Sequence, residues 1–141
     1  MNGEREMRKA KIIRQSDVLS ATGLEPPLNA RSGINSKTVE NPKLEMHHTI
    51  IPPGGRNQRH YHITCDAGMY ILKGRLKMFF GPDHEQEEVV VQAGDYAFVP
   101  QGVIHGLMNL SNTESAELVG CTGGAASWEE AETVFVEPPW K

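Results

Sequence analysis

His60, Tyr61 and His62 form a His-x-His triplet, followed four residues later by Asp66. On a β-strand side chains alternate between faces, so His60 and His62 share a face and their imidazoles converge on one point. Asp66 has the same parity, so a strand continuing to residue 66 presents two imidazoles and a carboxylate to one side. That set suits a first-row divalent metal with open coordination positions. Alone, the triplet is short and unspecific, and two histidines in a loop-rich surface segment can equally do nothing. A further histidine, His105, stands in GDYAFVPQGVIHGLMN, residues 94–109. Here Gly94, Pro100, Gly102, His105 and Asn109 stand at Gly-x5-Pro-x-Gly-x2-His-x3-Asn spacing. The pattern reads as a turn at Gly94-Asp95, a strand from Tyr96 to Val99, and a rigid Pro100/Gly102 turn that aims His105 inward. Asn109, at the end of the pattern, is expected to stabilise the turn.

His47 and His48 lie in KLEMHHTII, where alternation lets only one of them face inward. Leu44, Met46, His48 and Ile50 make the more apolar face, which points to His48 as the interior residue. There it is a fourth nitrogen ligand, a general base or a satisfied core histidine. Arg56 and Gln58 precede the triplet and either rim a pocket mouth or are solvated. His84, in GPDHEQ, reads as a loop residue.

The elements that must position these groups are short strands. Runs rich in Val, Ile, Tyr and Phe end in turn signals: KLEMHHTII in PPGG, AGMYILKGRLKMFF in GPD, EEVVV in QAGD, YAFV in PQG. This rhythm describes an all-β sandwich or barrel with little space for helices. A hairpin is expected from Met69 to Phe80, with Lys73-Gly74 as its tight turn. Residues 16–22 and 127–132 are the two plausible helical turns, each opened by a Ser suited to an N-cap. Tyr70, Leu72, Leu76, Met78, Phe98, Leu107 and Met108 are expected to divide between core and pocket wall, mostly core. ETVFVEPPWK reads as a last edge strand, with Trp140 as an anchor on its own barrel or on a second subunit. Edge strands of open barrels often pair with a second copy, so a homodimer is expected.

Composition bounds the function classes. The 141 residues fit one domain, with a core over about 33–122 and residues 1–10 mobile or docked on a neighbouring subunit. A formal net charge of −4 implies no basic face, so nucleic acid is not the expected partner. No apolar run has the length of a membrane span, and the charged N-terminal stretch lacks the apolar core of a secretory signal. A cytoplasmic protein with reduced Cys65 and Cys121 is expected.

With both patterns in order, the chain resembles the cupin superfamily. Gly94, Pro100, Gly102, His105 and Asn109 match that family's second motif without departure. Gly55, His60, His62 and Gly74 match its first, so the resemblance covers residues 55–109. It implies a jelly-roll barrel, also described as a double-stranded β-helix. It implies a single divalent transition metal (Zn, Fe, Mn or Ni) on His60, His62, His105 and an acid. The commonest family spacing puts the acid at Ala67, which cannot bind metal. Asp66, one residue earlier, is similar to the acid of a cupin subgroup, binding directly or through a water. The resemblance further implies a small-molecule substrate. Three readings follow: an isomerase, cyclase or lyase acting on a carbonyl-bearing molecule with His48 or a bound hydroxide moving a proton; a non-haem Fe(II) dioxygenase of the diketone- or thiol-cleaving kind; or a non-catalytic metal- or ligand-binding barrel.

Overall fold

The computed structural model describes residues 9–18, 28–127 and 129–138. Among these residues ten strands follow in chain order: β1 (Asn29–Ile34), β2 (Leu44–Ile51), β3 (His60–His62), β4 (Asp66–Lys73), β5 (Arg75–Phe80), β6 (Glu87–Gln92), β7 (Tyr96–Val99), β8 (His105–Asn109), β9 (Ala116–Gly123) and β10 (Thr133–Phe135). They form two antiparallel five-stranded sheets, one in the order β1-β2-β9-β4-β7 and the other β10-β3-β8-β5-β6. The core lies between the sheets and is built from Ile51, Ile71, Leu76, Met78, Leu107 and Leu118, each no more than 3% exposed. Burial of this kind is the main driving force for closing the two sheets on each other. The all-β expectation holds, and among the described residues only two 3-10 turns interrupt it, at Gln15–Asp17 and Asp83–Glu85.

The expected hairpin from Met69 to Phe80 does not form. β4 pairs with β7 and β9 in the first sheet, whereas β5 pairs with β6 and β8 in the second. Gly74, at φ +89°, carries the chain around the corner between sheets, and a β-carbon there would lie 2.9 Å from that of Ala116. Pattern and turn residue alone describe a bend, and a bend within one sheet looks the same as a bend between two. Likewise Gly94, at φ +97°, takes the chain from β6 in one sheet to β7 in the other.

Of the seven residues expected to divide between core and pocket wall, Leu76, Met78 and Leu107 are buried, while Tyr70, Leu72 and Phe98 face outward. Phe98 is 67% exposed, because β7 turns Ala97 and Val99 inward instead. The described residues of 127–132 make turns only, with Ser127 Oγ accepting the Glu130 N–H at 3.1 Å as a cap would. Of residues 16–22, those from 19 on lie outside the described residues, as does Trp140. β10 takes the edge position expected of the last strand. Cys65 is buried and Cys121 exposed, and they are unpaired.

Candidate metal centre

β3 and β8 lie side by side in the second sheet, with His60 directly opposite His105. His62, two residues along β3, shares the inward face, so sheet geometry alone brings three imidazoles together. The Pro100–Gly102 turn sets the start of β8: Gly102, at φ +83°, donates its N–H to the His62 carbonyl at 2.8 Å and ties the second motif to the first. Asn109 is 2% exposed and anchors the far end. Its Nδ2 donates to the carbonyls of Ile51, Pro52 and Glu114, and its Oδ1 accepts the Ser111 N–H.

One nitrogen from each of His60, His62 and His105 lies within 4.8 Å of the others. All three side chains are buried. The outer nitrogens fix their orientation: His60 Nδ1 donates to the Gln58 carbonyl at 2.7 Å and His105 Nδ1 to the Val103 carbonyl at 2.9 Å. A carbonyl only accepts, so both rings carry their hydrogen on Nδ1 and present an Nε2 lone pair. His62 Nδ1 meets Thr133 Oγ1 at 2.9 Å, a partner supplied by β10. Such outer hydrogen bonds are the usual way a metal-binding histidine is held in its tautomer. Burial lowers the pKa of all three rings. It pushes His62 and His105 down to about 3, helped for His62 by charge on His60 and His105, and for His105 by charge on His60. At neutral pH the cluster is therefore uncharged, the form in which imidazole binds a metal. Three neutral nitrogen donors with a shared focus fit a divalent first-row ion.

Asp66 does not join this group. Its Oδ1 accepts the backbone N–H of Gln101 at 2.8 Å, and the residue is exposed. The parity argument assumed one strand from His60 to Asp66, but β3 ends at His62 and β4 begins at Asp66 in the opposite sheet.

The facing of β2 is likewise corrected. Glu45, Thr49 and Ile51 are buried, so the inward face is the odd-numbered one and includes His47. His48 points out of the barrel and pairs with Glu117 Oε1 at 3.0 Å, so it is not brought to the three histidines. The more apolar face of β2 is the outer one, and the inner one carries Glu45, His47 and Thr49, of which His47 and Thr49 line a cavity between the sheets. Gln58 and Arg56 do not rim this cavity either. Gln58 Nε2 donates to the Glu137 carbonyl at 2.6 Å, and the Arg56 guanidinium stacks 5.0 Å from the Phe79 ring centroid.

The cavity has a volume of about 30 Å³ and lies between the sheets. The three histidines form its wall on one side. His47, Thr49, Met69 and Leu118 form the other. His47 is the residue that sequence reasoning passed over; its signal was Glu45 two positions earlier, on the same face and able to orient it.

A family model described as "Cupin domain" matches residues 47–120. The protein is a cupin. Its chain is 28% identical over 90 residues to an uncharacterized protein of Methanocaldococcus jannaschii, covering 64% of this chain and 68% of that one. The fold is similar to oxalate decarboxylase from Bacillus subtilis, with a TM-score of 0.76 and 19% identity, over 94% of this cupin and 33% of that chain. It is also similar to the polyketide cyclase RemF from Streptomyces resistomycificus, with a TM-score of 0.71 and 16% identity, over 92% and 87% of the two chains. This cupin thus spans about a third of the decarboxylase. Among the described residues no helix is long and apolar enough to cross a membrane.

Proposed function

We propose that this cupin is a metal-dependent enzyme that acts on a small carbonyl-bearing molecule, as an isomerase, cyclase or lyase. The observation that carries the reading is the focus of three neutral, buried, outwardly anchored imidazoles, His60, His62 and His105. A Zn, Mn, Ni or Fe ion held there would act as a Lewis acid on a carbonyl oxygen. The chain's own residues supply orientation: Gln58, Val103 and Thr133 hold the ligand rings, and Met69 and Leu118 limit water. The similarity to a polyketide cyclase over most of both chains supports this class. A second reading, an Fe(II) dioxygenase, is favoured by one observation: Asp66 is turned away, which leaves a three-histidine donor set without a carboxylate.

Two measurements test these readings. Metal analysis of freshly purified protein is expected to give one equivalent of a divalent ion. Turnover of an enolisable ketone or hydroxy ketone under strict anaerobiosis supports the first reading; turnover that consumes one O₂ per product overturns it for the second. An intact site that processes neither points to a non-catalytic barrel.

We further read the outer face of the first sheet as a homodimer contact in a cytoplasmic protein. Tyr96 and Phe98, 80% and 67% exposed, share the outer face with Leu72 and with Tyr70, whose ring centroid lies 4.8 Å from that of Tyr96. Large exposed apolar groups gathered on one face are the usual mark of an association surface.

A further inference from the structure

At the β1 edge of the first sheet, residues 11–18 cross the outer face and leave a pocket of about 370 Å³ between themselves and the strands. Two contacts hold the crossing segment. Lys11 Nζ donates to the Thr38 carbonyl at 2.6 Å, and Val18 packs over Gly33, where a β-carbon would lie 3.9 Å from its Cγ2. The walls are largely apolar, built from Ile12, Ile34, Met46 and Val119, and Ile12 is left 72% exposed. Among the described lining residues none is acidic, whereas Lys11 and Arg31 are cationic. Glu117 of β9 is engaged by His48 Nε2 at 3.0 Å. Arg31 Nε is buried and has no hydrogen-bond partner. A buried donor on a charged group is costly to leave unmade, so a structure retains one where a ligand or water completes it.

We infer that this pocket binds a small amphipathic monocarboxylate, its carboxylate on Arg31 and its apolar body along Ile12, Ile34, Met46 and Val119. A guanidinium offers parallel N–H groups from Nε and one Nη, a fork that matches the two oxygens of a carboxylate. Lys11 keeps N–H groups beyond the one given to Thr38 and adds positive charge to the same pocket. An uncharged lipid would leave Arg31 Nε unpaired, and an inorganic anion would leave the apolar walls uncovered. The volume is that of a small-molecule site and takes roughly a dozen water-sized groups, which suits an acid of about eight carbons. Tyr96 and Phe98 stand on β7, at the opposite edge of the sheet, so the homodimer contact leaves this pocket open. It lies outside the barrel and does not depend on the metal centre.

The test titrates the full chain with sodium octanoate by calorimetry, as purified and again after chelation of any bound metal. Wild type is expected to take up one equivalent in both states. It is expected to bind octanoate about tenfold more tightly than octan-1-ol, the uncharged counterpart, as a charge-assisted hydrogen bond allows. Arg31→Gln is expected to weaken octanoate about tenfold and to leave octan-1-ol within about twofold of wild type. Arg31→Lys, which keeps the charge and loses the fork, is expected to fall between. Met46→Trp changes a residue that is 42% exposed and fills the pocket, so it is expected to abolish binding of both. Circular dichroism checks that each variant is folded. No uptake by wild type, uptake lost on chelation, or octanoate binding unchanged in folded Arg31→Gln or Met46→Trp overturns the inference. A wild-type dimer that takes up no octanoate and is split by Arg31→Gln also overturns it, and gives the pocket to a second copy.

Discussion

Gly120→Ala tests whether His47 is held where the geometry places it. Gly120 is not among the glycines with positive φ, so alanine fits the backbone, and only the side-chain contact matters. The new methyl would stand 2.4 Å from His47 Nε2, 2.8 Å from Cε1 and 3.3 Å from Cδ2. Carbon contacts are relaxed at about 3.5–4.0 Å, so the ring must retreat by roughly 1 Å. It cannot do so and keep the 2.8 Å bond to Glu45. Overpacking of this kind costs about 1–3 kcal/mol and a hydrogen bond to a charged group is worth about 1.5–3 kcal/mol, so a loss near 3 kcal/mol is expected. For a domain of this size that lowers Tm by roughly 10 °C. The assay is a thermal double-mutant cycle on metal-free protein, with His47→Ala as the second change. In the His47→Ala background the obstacle is gone, and Gly120→Ala is expected to cost close to nothing, so the coupling energy is about 3 kcal/mol. An equal Tm loss from Gly120→Ala in both backgrounds would refute the placement of His47 over Gly120.

Other consequences can be checked separately. His60→Ala and His105→Ala are each expected to lose stoichiometric metal while keeping a β-type circular dichroism spectrum; a full equivalent retained in both defeats the proposed centre. Asp66→Ala is expected to keep the metal and to lose about 1 kcal/mol with the Gln101 N–H bond, so a fall in metal affinity beyond about tenfold would place Asp66 nearer the ion than the structure does. Asn109→Ala removes a buried amide serving three carbonyls and is expected to cost at least about 3 kcal/mol in chemical denaturation. His62 and His105 titrate near 3 in the folded state against 6.5 in the unfolded one, so the unfolded chain binds more protons between those values. Metal-free protein should be fully stabilised above pH 6.5 and lose stability as pH falls toward 3. His62→Gln should flatten that dependence in Tm measured from pH 7.5 to 4.5.

Three ligand candidates, the barrel class and the anchoring role of Asn109 were legible in the sequence, because each is written in local spacing. His60 and His62 share a face through two-residue periodicity alone, and the Pro100/Gly102 turn starts β8 wherever the chain goes next. Asp66 was misplaced because parity holds within a continuous strand and says nothing of which sheet the next residue enters. Three residues between β3 and β4 carry the chain from one sheet to the other, and Asp66 leaves with it. On β2 the hydrophobic pattern pointed to the even-numbered face. The closed barrel reverses that choice, since Glu45, His47 and Thr49 turn inward on β2 and the more apolar set lies outside. The opposition of Thr49 and His47 to the three histidines depends on how two sheets close over each other. No local pattern records a contact between strands of different sheets, so only the tertiary structure decides it.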